Sequence, residues 1–372
     1  MRADYKALGD YIQLVDERNK DSVTDKVLGI NIDKYFMPSV ANIIGTDLSK
    51  YKLITKGRFA CNPMHVGRDE RLPVALYEDD DPAIVSPAYF MFEVKDNAVL
   101  DNEYLMMWFR RPEFDRICWL HTDGSVRGGI SWDDICRMEL PVPFIEEQKN
   151  IVKAYKIIAD RIALKKRIND NLEAQITTLF NELVVGNELF PFDEALDERI
   201  DFINGLAMQN FRPLEGEAPL PVIKIRELTQ GYCDLNSEFC SPSIDSSHII
   251  ESGDLVFSWS GSLQAAFWTA ETAGLNQHLF KVVSDTYPKW FVYRWVLYHL
   301  LNFQRIAENK GTTFGHIKRE DLHNACIKSL NDDEIMRLSK LFSPIQTAII
   351  ENSTEYHHLK SLQQAILGKL SR

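Results

Sequence analysis

Residues 151–183 read IVKAYKIIADRIALKKRINDNLEAQITTLFNEL, and this stretch decides the fold. Its apolar side chains recur at alternating steps of four and three residues, which is the pattern of a coiled-coil seam. The pattern returns 187 positions later (338 − 151 = 187), where residues 338–370 read LSKLFSPIQTAIIENSTEYHHLKSLQQAILGKL. Two long helices are therefore predicted to pack as an antiparallel coiled coil. The seam residues are Ile151, Tyr155, Ile158, Ile162, Leu172, Ile176, Leu179, Leu338, Phe342, Ile345, Ile349, Leu359 and Ile366.

Polar residues interrupt both seams near their midpoints. Lys165 and Asn169 stand in the first seam and Asn352 stands in the second. Antiparallel packing brings midpoints together, so Lys165 is predicted to lie near Asn352. A polar pair at a seam position costs stability but fixes register and orientation. The alternative is that these positions simply turn toward solvent.

The repeat extends into the segments that precede the helices. Residues 130–135 align with residues 317–322 at the same offset (317 − 130 = 187), and residues 54–59 align with 250–255 at an offset of 196 (250 − 54 = 196). The changing offset places insertions in the globular parts, whereas the helices keep their length. One interpretation is an old duplication that kept only its fold. We favour the other, in which helix length sets a distance, because loops tolerate insertions cheaply and a spacer does not.

The chain of 372 residues is long enough for two or more domains. Short strand-like runs mixed with helices indicate an α/β fold of the α+β type, with an internal pseudo-twofold repeat. The predicted division is a globular domain at residues 1–145, a helix at 146–186, a second globular domain at 187–330 and a second helix at 331–372. The absence of long apolar runs predicts no membrane span. Six cysteines without a C-x-x-C pair are typical of reduced thiols in the cytoplasm.

The net charge of −12 does not favour a nucleic-acid partner at first sight. No segment of the chain is strongly basic, so contacts to DNA are expected to come from local patches. A partner subunit is then expected to supplement the affinity for phosphates.

Four stretches carry a family resemblance. Residues 140–148 (LPVPFIEEQ) combine a Pro-x-Pro turn with acidic residues and a glutamine at the start of a helix, and residues 253–262 (GDLVFSWSGS), 275–280 (LNQHLF) and 311–322 (GTTFGHIKREDL) belong to the second globular part. In these stretches the chain resembles the specificity subunits of type I restriction-modification systems. The resemblance covers nearly the whole chain, although residues 124–129 depart from the pattern of 311–316. Pro344 inside the second helix predicts a kink or a later helix start.

The resemblance implies a subunit that recognises a bipartite double-stranded DNA target, with one half-site for each globular target-recognition domain. It also implies methyltransferase subunits, expected in two copies, and restriction motor subunits as partners in the cytoplasm. S-adenosylmethionine, ATP and magnesium are then expected on those partners and not on this chain. The alternative function is a non-catalytic helical scaffold or regulator that binds protein partners without reading DNA.

Motifs of catalysis are missing from the sequence. Asn62-Pro63-Met64-His65 superficially resembles the motif of amino-methyltransferases but lacks its second proline and its aromatic residue. No P-loop and no cluster of metal-ligand spacing occurs. We therefore predict no catalytic residue and no metal site, and a self-contained DNA methyltransferase is the third and weakest interpretation.

Candidate DNA contacts follow from residue type, because Arg, Lys, Asn and Gln read base edges and small polar groups bind phosphates. Trp259, Trp268 and Trp290 are predicted to be core residues and not base-stacking surfaces. The candidate contacts are Arg68, Arg71, Arg110, Arg111 and Arg127 in the first domain, and Gln209, Arg212, Ser260, Ser262, Lys310, Thr312 and Thr313 in the second.

Overall fold

The computed structural model describes residues 5–40, 45–64, 66–122, 128–309 and 315–370. The chain forms two compact units, one made of residues 1–160 with 361–372 and the other of residues 161–360. Each unit therefore includes a part of both long helices. The four-part division expected from the sequence, which separates the helices from the globular domains, stays a prediction.

The described residues of the first unit form one two-stranded sheet and two four-stranded sheets. The two-stranded sheet pairs β1 (Tyr5–Ala7) with β10 (Glu139–Pro141) in antiparallel fashion. One four-stranded sheet is antiparallel and contains, in spatial order, β2 (Ile12–Leu14), β9 (Phe90–Val94), β6 (Phe59–Cys61) and β7 (Val74–Leu76). The other has a parallel central pair, β3 with β8, and contains β4 (Phe36–Pro38), β3 (Val27–Ile30), β8 (Ala83–Val85) and β5 (Lys52–Ile54).

The second unit repeats this arrangement, strand for strand. Its two-stranded sheet pairs β11 (Phe192–Ala195) with β20 (Cys326–Lys328). One four-stranded sheet contains β12 (Asp201–Asn204), β19 (Leu279–Val283), β16 (Leu255–Ser258) and β17 (Ala265–Phe267). The other again has a parallel central pair, β13 with β18, and contains β14 (Phe239–Cys240), β13 (Leu220–Ile223), β18 (Ala273–Leu275) and β15 (Ile249–Ile250). The predicted mixed fold with an internal repeat is confirmed.

The helices complete both units. The long helices are α5 (Ile145–Phe180), which continues as a π-helical turn at Asn181–Val185, and α9 (Asp332–Lys369). The shorter helices of the first unit are α1 (Val66–Asp69), α2 (Asn102–Phe109), α3 (Pro112–Leu120) and α4 (Trp132–Arg137). Those of the second unit are α6 (Ile225–Gln230), α7 (Lys289–Asn309) and α8 (Arg319–His323).

The repeat holds at the level of single hydrogen bonds. The backbone N–H of Ile130 donates to the carbonyl of Pro63 (3.1 Å), and that of Ile317 donates to the carbonyl of Trp259 (3.0 Å). The donors are 187 positions apart (317 − 130) and the acceptors are 196 apart (259 − 63). The two offsets found in the sequence therefore belong to segments that meet in space in the same way in each unit.

A pair of tryptophans marks the equivalent core position in the two units. Trp108 in α2 and Trp295 in α7 are separated by the repeat distance (295 − 108 = 187), and both are fully buried. The indole N–H of neither ring finds a hydrogen-bond partner among the described residues. The free energy gained by burying a large aromatic side chain exceeds the cost of one unsatisfied donor, since such a ring buries about 150–250 Å² of surface.

The two long helices run antiparallel within each unit. In the first, Val152 and Tyr155 of α5 share a core cluster with Leu367, in the last turn of α9, and with Leu370, which directly follows α9. In the second, residues late in α5 share a cluster with residues early in α9, and the rings of Phe180 and Phe342 lie 6.5 Å apart. Every predicted seam residue is buried or half-buried, and the fully buried ones are Tyr155, Ile162, Ile176, Leu338, Phe342 and Ile349.

The polar interruptions of the seam meet as predicted. The Lys165 ammonium donates to Asn352 Oδ1 (2.6 Å) and also pairs with Glu355 (2.6 Å). One turn away, the Asn169 amide donates to Ser353 Oγ (2.9 Å). These contacts confirm the predicted register of the two helices in the second unit and rule out the alternative in which both positions face only water.

The expected later start of the second helix at Pro344 is wrong. Helix α9 begins at Asp332, and the side chains and backbone N–H groups of Asn331 and Glu334 exchange hydrogen bonds at its N-terminus (2.9 and 3.1 Å). Pro344 is exposed, whereas Phe342 beside it is fully buried. Water can reach the carbonyl that the proline leaves without its helical partner, so the helix continues through this position.

Candidate nucleic-acid interface

Segments that are distant in sequence converge at one edge of the second unit. The segment after β12 meets the segment after β18 through a bridge between Leu206 and Asn276. The segment after β16 meets the segment before α8 through a bridge between Ser260 and His316. The strand order β12-β19-β16 brings these loops to the same end of the sheet.

A turn between β18 and β19 presents polar side chains at this edge. Asn276 is buried, its backbone N–H donates to the carbonyl of Ile223 (3.1 Å), and its side-chain oxygen accepts from the N–H of His278 (3.2 Å). A Cβ at Gly205 would lie 2.2 Å from the Asn276 carbonyl, so only glycine fits there. This close approach of two backbones holds Gln277 and His278 at the mouth of a cleft.

The cleft has a volume of about 310 Å³ and is lined mainly by polar side chains. Amides and imidazoles offer both donors and acceptors, which is what the edges of base pairs require. Its lining residues are Gln209, Lys224, Ile225, Arg226, Asn276, Gln277 and His278.

The two cations of the cleft are paired with carboxylates. Lys224 lies 2.5 Å from Glu238, and Arg226 lies 2.9 Å from Asp234 and 2.5 Å from Glu227. The Arg226 guanidinium donates hydrogen bonds to Asp234 and to Glu227, and these bonds, with that to Asp234 the stronger influence, raise its pKa above the usual value. The cleft therefore offers oriented hydrogen-bonding groups with little net positive charge.

Of the predicted contacts in the second domain, Gln209 and Ser260 belong to this edge. Gln209 lines the cleft and is exposed, while the buried Ser260 hydroxyl lies 3.1 Å from Nδ1 of His278 and so orients the imidazole. Arg212 and Ser262 are exposed. Lys310, Thr312 and Thr313 lie outside the described residues.

In the first domain, the predicted arginines have different environments. Arg68 is exposed and forms a bidentate ion pair with its neighbour Asp69 (2.6 and 2.9 Å). Arg71 is also exposed, and its guanidinium lies 3.2 Å from the Asp33 carboxylate. Arg110 is exposed at the end of α2. Arg127 lies outside the described residues. Of these side chains, Arg110 lines a pocket of about 110 Å³ beside Glu103 and Lys156.

Arg111, which the sequence predicts to contact DNA, is buried in the structure. Its side chain is 7% exposed, lies 3.7 Å from Glu113 and packs 6.0 Å from the ring of Trp108. Burial lowers the pKa of its guanidinium. The residue precedes Pro112, which restricts it to an extended backbone, and this conformation directs the side chain into the core.

The sequence-based candidates leave out five polar residues of the cleft: Lys224, Arg226, Asn276, Gln277 and His278. A signal for three of them was present, because residues 275–280 (LNQHLF) place three polar residues between apolar ones. Their role depends on strand order, which the sequence alone does not display.

The three tryptophans differ in burial. Trp268 and Trp290 are 1% exposed, which confirms that they are core residues. Trp259 is half-buried at the edge of the cleft, where its indole N–H donates to the carbonyl of Gln277 (3.2 Å). Its ring lies 6.0 Å from that of His278, so it packs against a residue that lines the cleft.

Two further features bear on function. Within the described ranges, no helix combines the length and the apolar character that crossing a lipid bilayer demands. In the same part of the chain, no group of three or more His, Cys, Asp or Glu side chains is placed to hold a metal ion.

Comparison with known proteins supports one family. No family model matches the chain. The sequence is 24% identical over 301 residues to the type I restriction enzyme MjaIX specificity subunit of Methanocaldococcus jannaschii, covering 74% of this chain and 69% of that protein. The fold is similar to that of a type I restriction-modification S subunit from M. genitalium, with a TM-score of 0.57 and 12% identity over 98% of this chain and 95% of that one.

An HsdS subunit from Thermoanaerobacter tengcongensis also aligns with 100% of this chain and 97% of its own, with 17% identity and a TM-score of 0.40. The sequence relative and the M. genitalium structure agree with the resemblance that the motifs predict. The chain is thus similar in sequence to a type I restriction enzyme specificity subunit, and similar in fold to a type I restriction-modification S subunit.

Proposed function

We propose that the chain is the non-catalytic DNA sequence-specificity subunit of a type I restriction-modification complex. Each of its two globular modules, residues 1–145 and residues 187–330, binds one half-site of a bipartite target. The observation that carries this proposal is a repeated framework with different side chains at its edge. The β18–β19 turn carries Asn276, Gln277 and His278, whereas the corresponding β8–β9 turn, residues 86–89, reads SPAY. Two modules of one fold with different exposed chemistry suit two different base sequences.

Base readout by the second module is assigned to the cleft. Glutamine pairs with adenine through two hydrogen bonds in the major groove, and histidine and serine contact other base edges or phosphates. The lysine and the arginine of the cleft are already paired with acidic residues, so they contribute little free charge for sequence-independent attraction. The cleft is therefore suited to discrimination between bases more than to general affinity for DNA.

Partner subunits supply the remaining functions in this proposal. Methyltransferase subunits, in two copies, and restriction motor subunits hold S-adenosylmethionine, ATP and magnesium, and the complex acts in the cytoplasm. Support comes from the sequence, which has no nucleotide-binding or methyltransferase motif, and from the net charge of −12, which leaves most contacts to phosphates for the partners.

The test compares genome-wide methylation in cells with and without the gene. We expect one bipartite motif to be methylated only when the gene is present. A gene copy with H358A, which changes an exposed residue on α9, is the matched control and should restore the same motif. If the gene alters methylation at no bipartite motif, the DNA-specificity function is wrong for this chain.

The neutralised cations of the cleft favour one alternative, a scaffold that binds proteins without reading DNA. The two functions differ in the behaviour of the assembled complex. A specificity subunit gives the complex a preference for one duplex over a shuffled duplex at moderate salt, and a scaffold gives no preference. Fluorescence anisotropy with labelled duplexes measures this difference.

The proposed division of labour gives a prediction about module exchange. Replacing residues 1–145 by the corresponding segment of a relative should change only one half of the methylated motif, because base contacts are local to each module. Sequencing of methylated sites measures the outcome. Simultaneous change of both halves would contradict independent readout.

A further inference from the structure

Arg294 connects the second module to both long helices. It lies within α7 and is 2% exposed. Its Nη2 donates to Glu173 Oε2 (2.7 Å) and to Gln346 Oε1 (3.4 Å), and its Nη1 donates to Thr177 Oγ1 (3.2 Å). Glu173 and Thr177 belong to α5 and Gln346 belongs to α9. One side chain of the module thus contacts both helices of the scaffold.

Stabilisation of the fold does not by itself account for this network. Arg294 Nε and Gln346 Nε2 are buried and have no hydrogen-bond partner among the described residues. Buried ionic groups with unsatisfied atoms are commonly no more stabilising than apolar residues of similar volume. A guanidinium, however, has a rigid planar set of donors, so its contacts define an orientation that an apolar contact does not.

The first module has an apolar side chain at the corresponding position. The position that corresponds to Arg294 is Met107 (294 − 187 = 107), which is buried in α2. The repeated core therefore accepts an apolar side chain at this site. The first module instead contacts α5 through a more exposed ion pair, in which Lys156 lies 2.5 Å from Glu103 of α2.

The contact lies on a direct route to the cleft. Beside Arg294, the ring of Tyr293 packs 4.8 Å from that of Phe267 in β17, and further along α7 Phe303 packs 6.0 Å from Phe257 in β16. Strand β16 ends two residues before Ser260, which orients His278. Packed rings and a short segment of chain therefore connect α7 to the cleft.

Resting on the proposed function, we infer that Arg294 is a positioning residue that fixes the angle of the second module on α5 and α9. In this role it restricts the number of base pairs accepted between the two half-sites. It does not contact DNA, and it leaves the sequence of each half-site unchanged.

The test uses the complete complex and synthetic duplexes that carry the motif found in the genome. The gap between the half-sites has the native length or is one base pair longer or shorter. The variants are R294M, which introduces the residue of the first module, R294K and E173Q. R305M, which alters an exposed arginine of the same helix, is the matched control. Methyl transfer to each duplex gives a native-to-altered gap ratio.

We expect R294M to lower this ratio by about tenfold, which corresponds to roughly 1.4 kcal/mol of lost discrimination. E173Q should lower it less, since the contacts to Thr177 and Gln346 remain, and R294K should restore part of it. R305M should match the wild type. A purely structural role would reduce thermal stability and leave the gap ratio unchanged.

An unchanged ratio in folded R294M would overturn the inference. If R294M does not assemble, an unchanged ratio in folded E173Q and R294K overturns it equally. Failure of the proposed function gives a different result, because the wild-type complex would then methylate no duplex with a bipartite motif.

Discussion

At the scale of single residues, His278 shows how the fold orients an exposed side chain. Its Nδ1 lies 3.1 Å from the Ser260 hydroxyl, and its backbone N–H donates to Asn276 Oδ1 (3.2 Å). Ser260 and Asn276 are both buried, so their positions are set by the core. A side chain that is oriented before binding loses less conformational freedom when it meets its ligand.

The first residue-scale prediction concerns Gln277 and His278. Replacing either by alanine should relax the base preference at one or two positions of one half-site, by roughly 1–3 kcal/mol for each lost pair of hydrogen bonds. The other half-site should stay unchanged. Sequencing of methylated sites measures the preference, with Q175A on α5 and H358A on α9 as matched controls at exposed positions. Unchanged base preference in both cleft variants would place readout elsewhere in the module.

Arg111 illustrates what residue type alone does not predict. It stands beside Arg110 in the sequence, yet Arg110 is exposed and Arg111 is buried beside Trp108. Two adjacent arginines at a helix end look alike in a sequence. Their difference arises because Arg110 completes α2 while Arg111 precedes Pro112 and α3, and only the packed helices decide which side chain faces water.

At the scale of elements, the start of α5 has a physical basis in Gln148. Its side chain is fully buried, its amide donates to the carbonyls of Val99 (2.8 Å) and Pro143 (2.8 Å), and its oxygen accepts from the N–H of Asp101 (2.9 Å). Asp101 is the N-cap of α2. The glutamine therefore joins the beginnings of α2 and α5, which explains its place in the Pro-x-Pro junction motif.

The helix pair was the most predictable part of the chain. Heptad spacing and a constant offset define both seams, so simple arithmetic placed Lys165 beside Asn352, and the structure confirms it at 2.6 Å. Pro344 was less predictable because the effect of a proline depends on whether its side of the helix faces water. Exposure of that side is a property of the packed structure.

The polar layer of the seam gives a prediction on pH. Hydrogen bonds from Lys165, and then from Arg161, hold the pKa of Glu355 below its usual value of 4.5. Folding therefore favours the carboxylate, and its stabilisation is present above about pH 4.5 and is lost as the pH falls through the lowered pKa. E355Q should reduce the melting temperature at pH 7, and the difference from wild type should narrow as the pH is lowered below 4.5.

Thermal denaturation from pH 7 down to about pH 3.5 measures this difference, across the window set by the lowered carboxyl pKa. E351Q, at an exposed position of the same helix, is the matched control and should follow the wild type. A difference between E355Q and the wild type that stays constant over this range would show that the ion pairs with Lys165 and Arg161 do not stabilise the fold.

At the scale of the whole molecule, duplication was predictable and the cleft was not. Offsets of 187 and 196 identify equivalent segments, and the same backbone hydrogen bonds appear in both units. The cleft joins Gln209, Lys224 and His278, which are far apart in the chain. They meet only because the order β12-β19-β16 and the parallel pairing of β13 with β18 bring their loops together. No local pattern in the sequence contains that information.

The last prediction concerns the length of the helices. Insertion of seven residues into both α5 and α9 preserves the heptad phase and lengthens each helix by about 10 Å, at 1.5 Å per residue. If these helices set the distance between the modules, the gap between the half-sites should grow by roughly three base pairs, since one turn of DNA covers 34–36 Å. The half-sites themselves should stay the same, because no module residue changes. Insertion of two residues into each helix is the control: it turns the apolar stripe by about 200°, away from the partner helix, at 3.6 residues per turn, and should prevent assembly. Sequencing of methylated sites measures the gap, and an unchanged gap in a folded seven-residue variant would mean that something other than helix length sets the spacing.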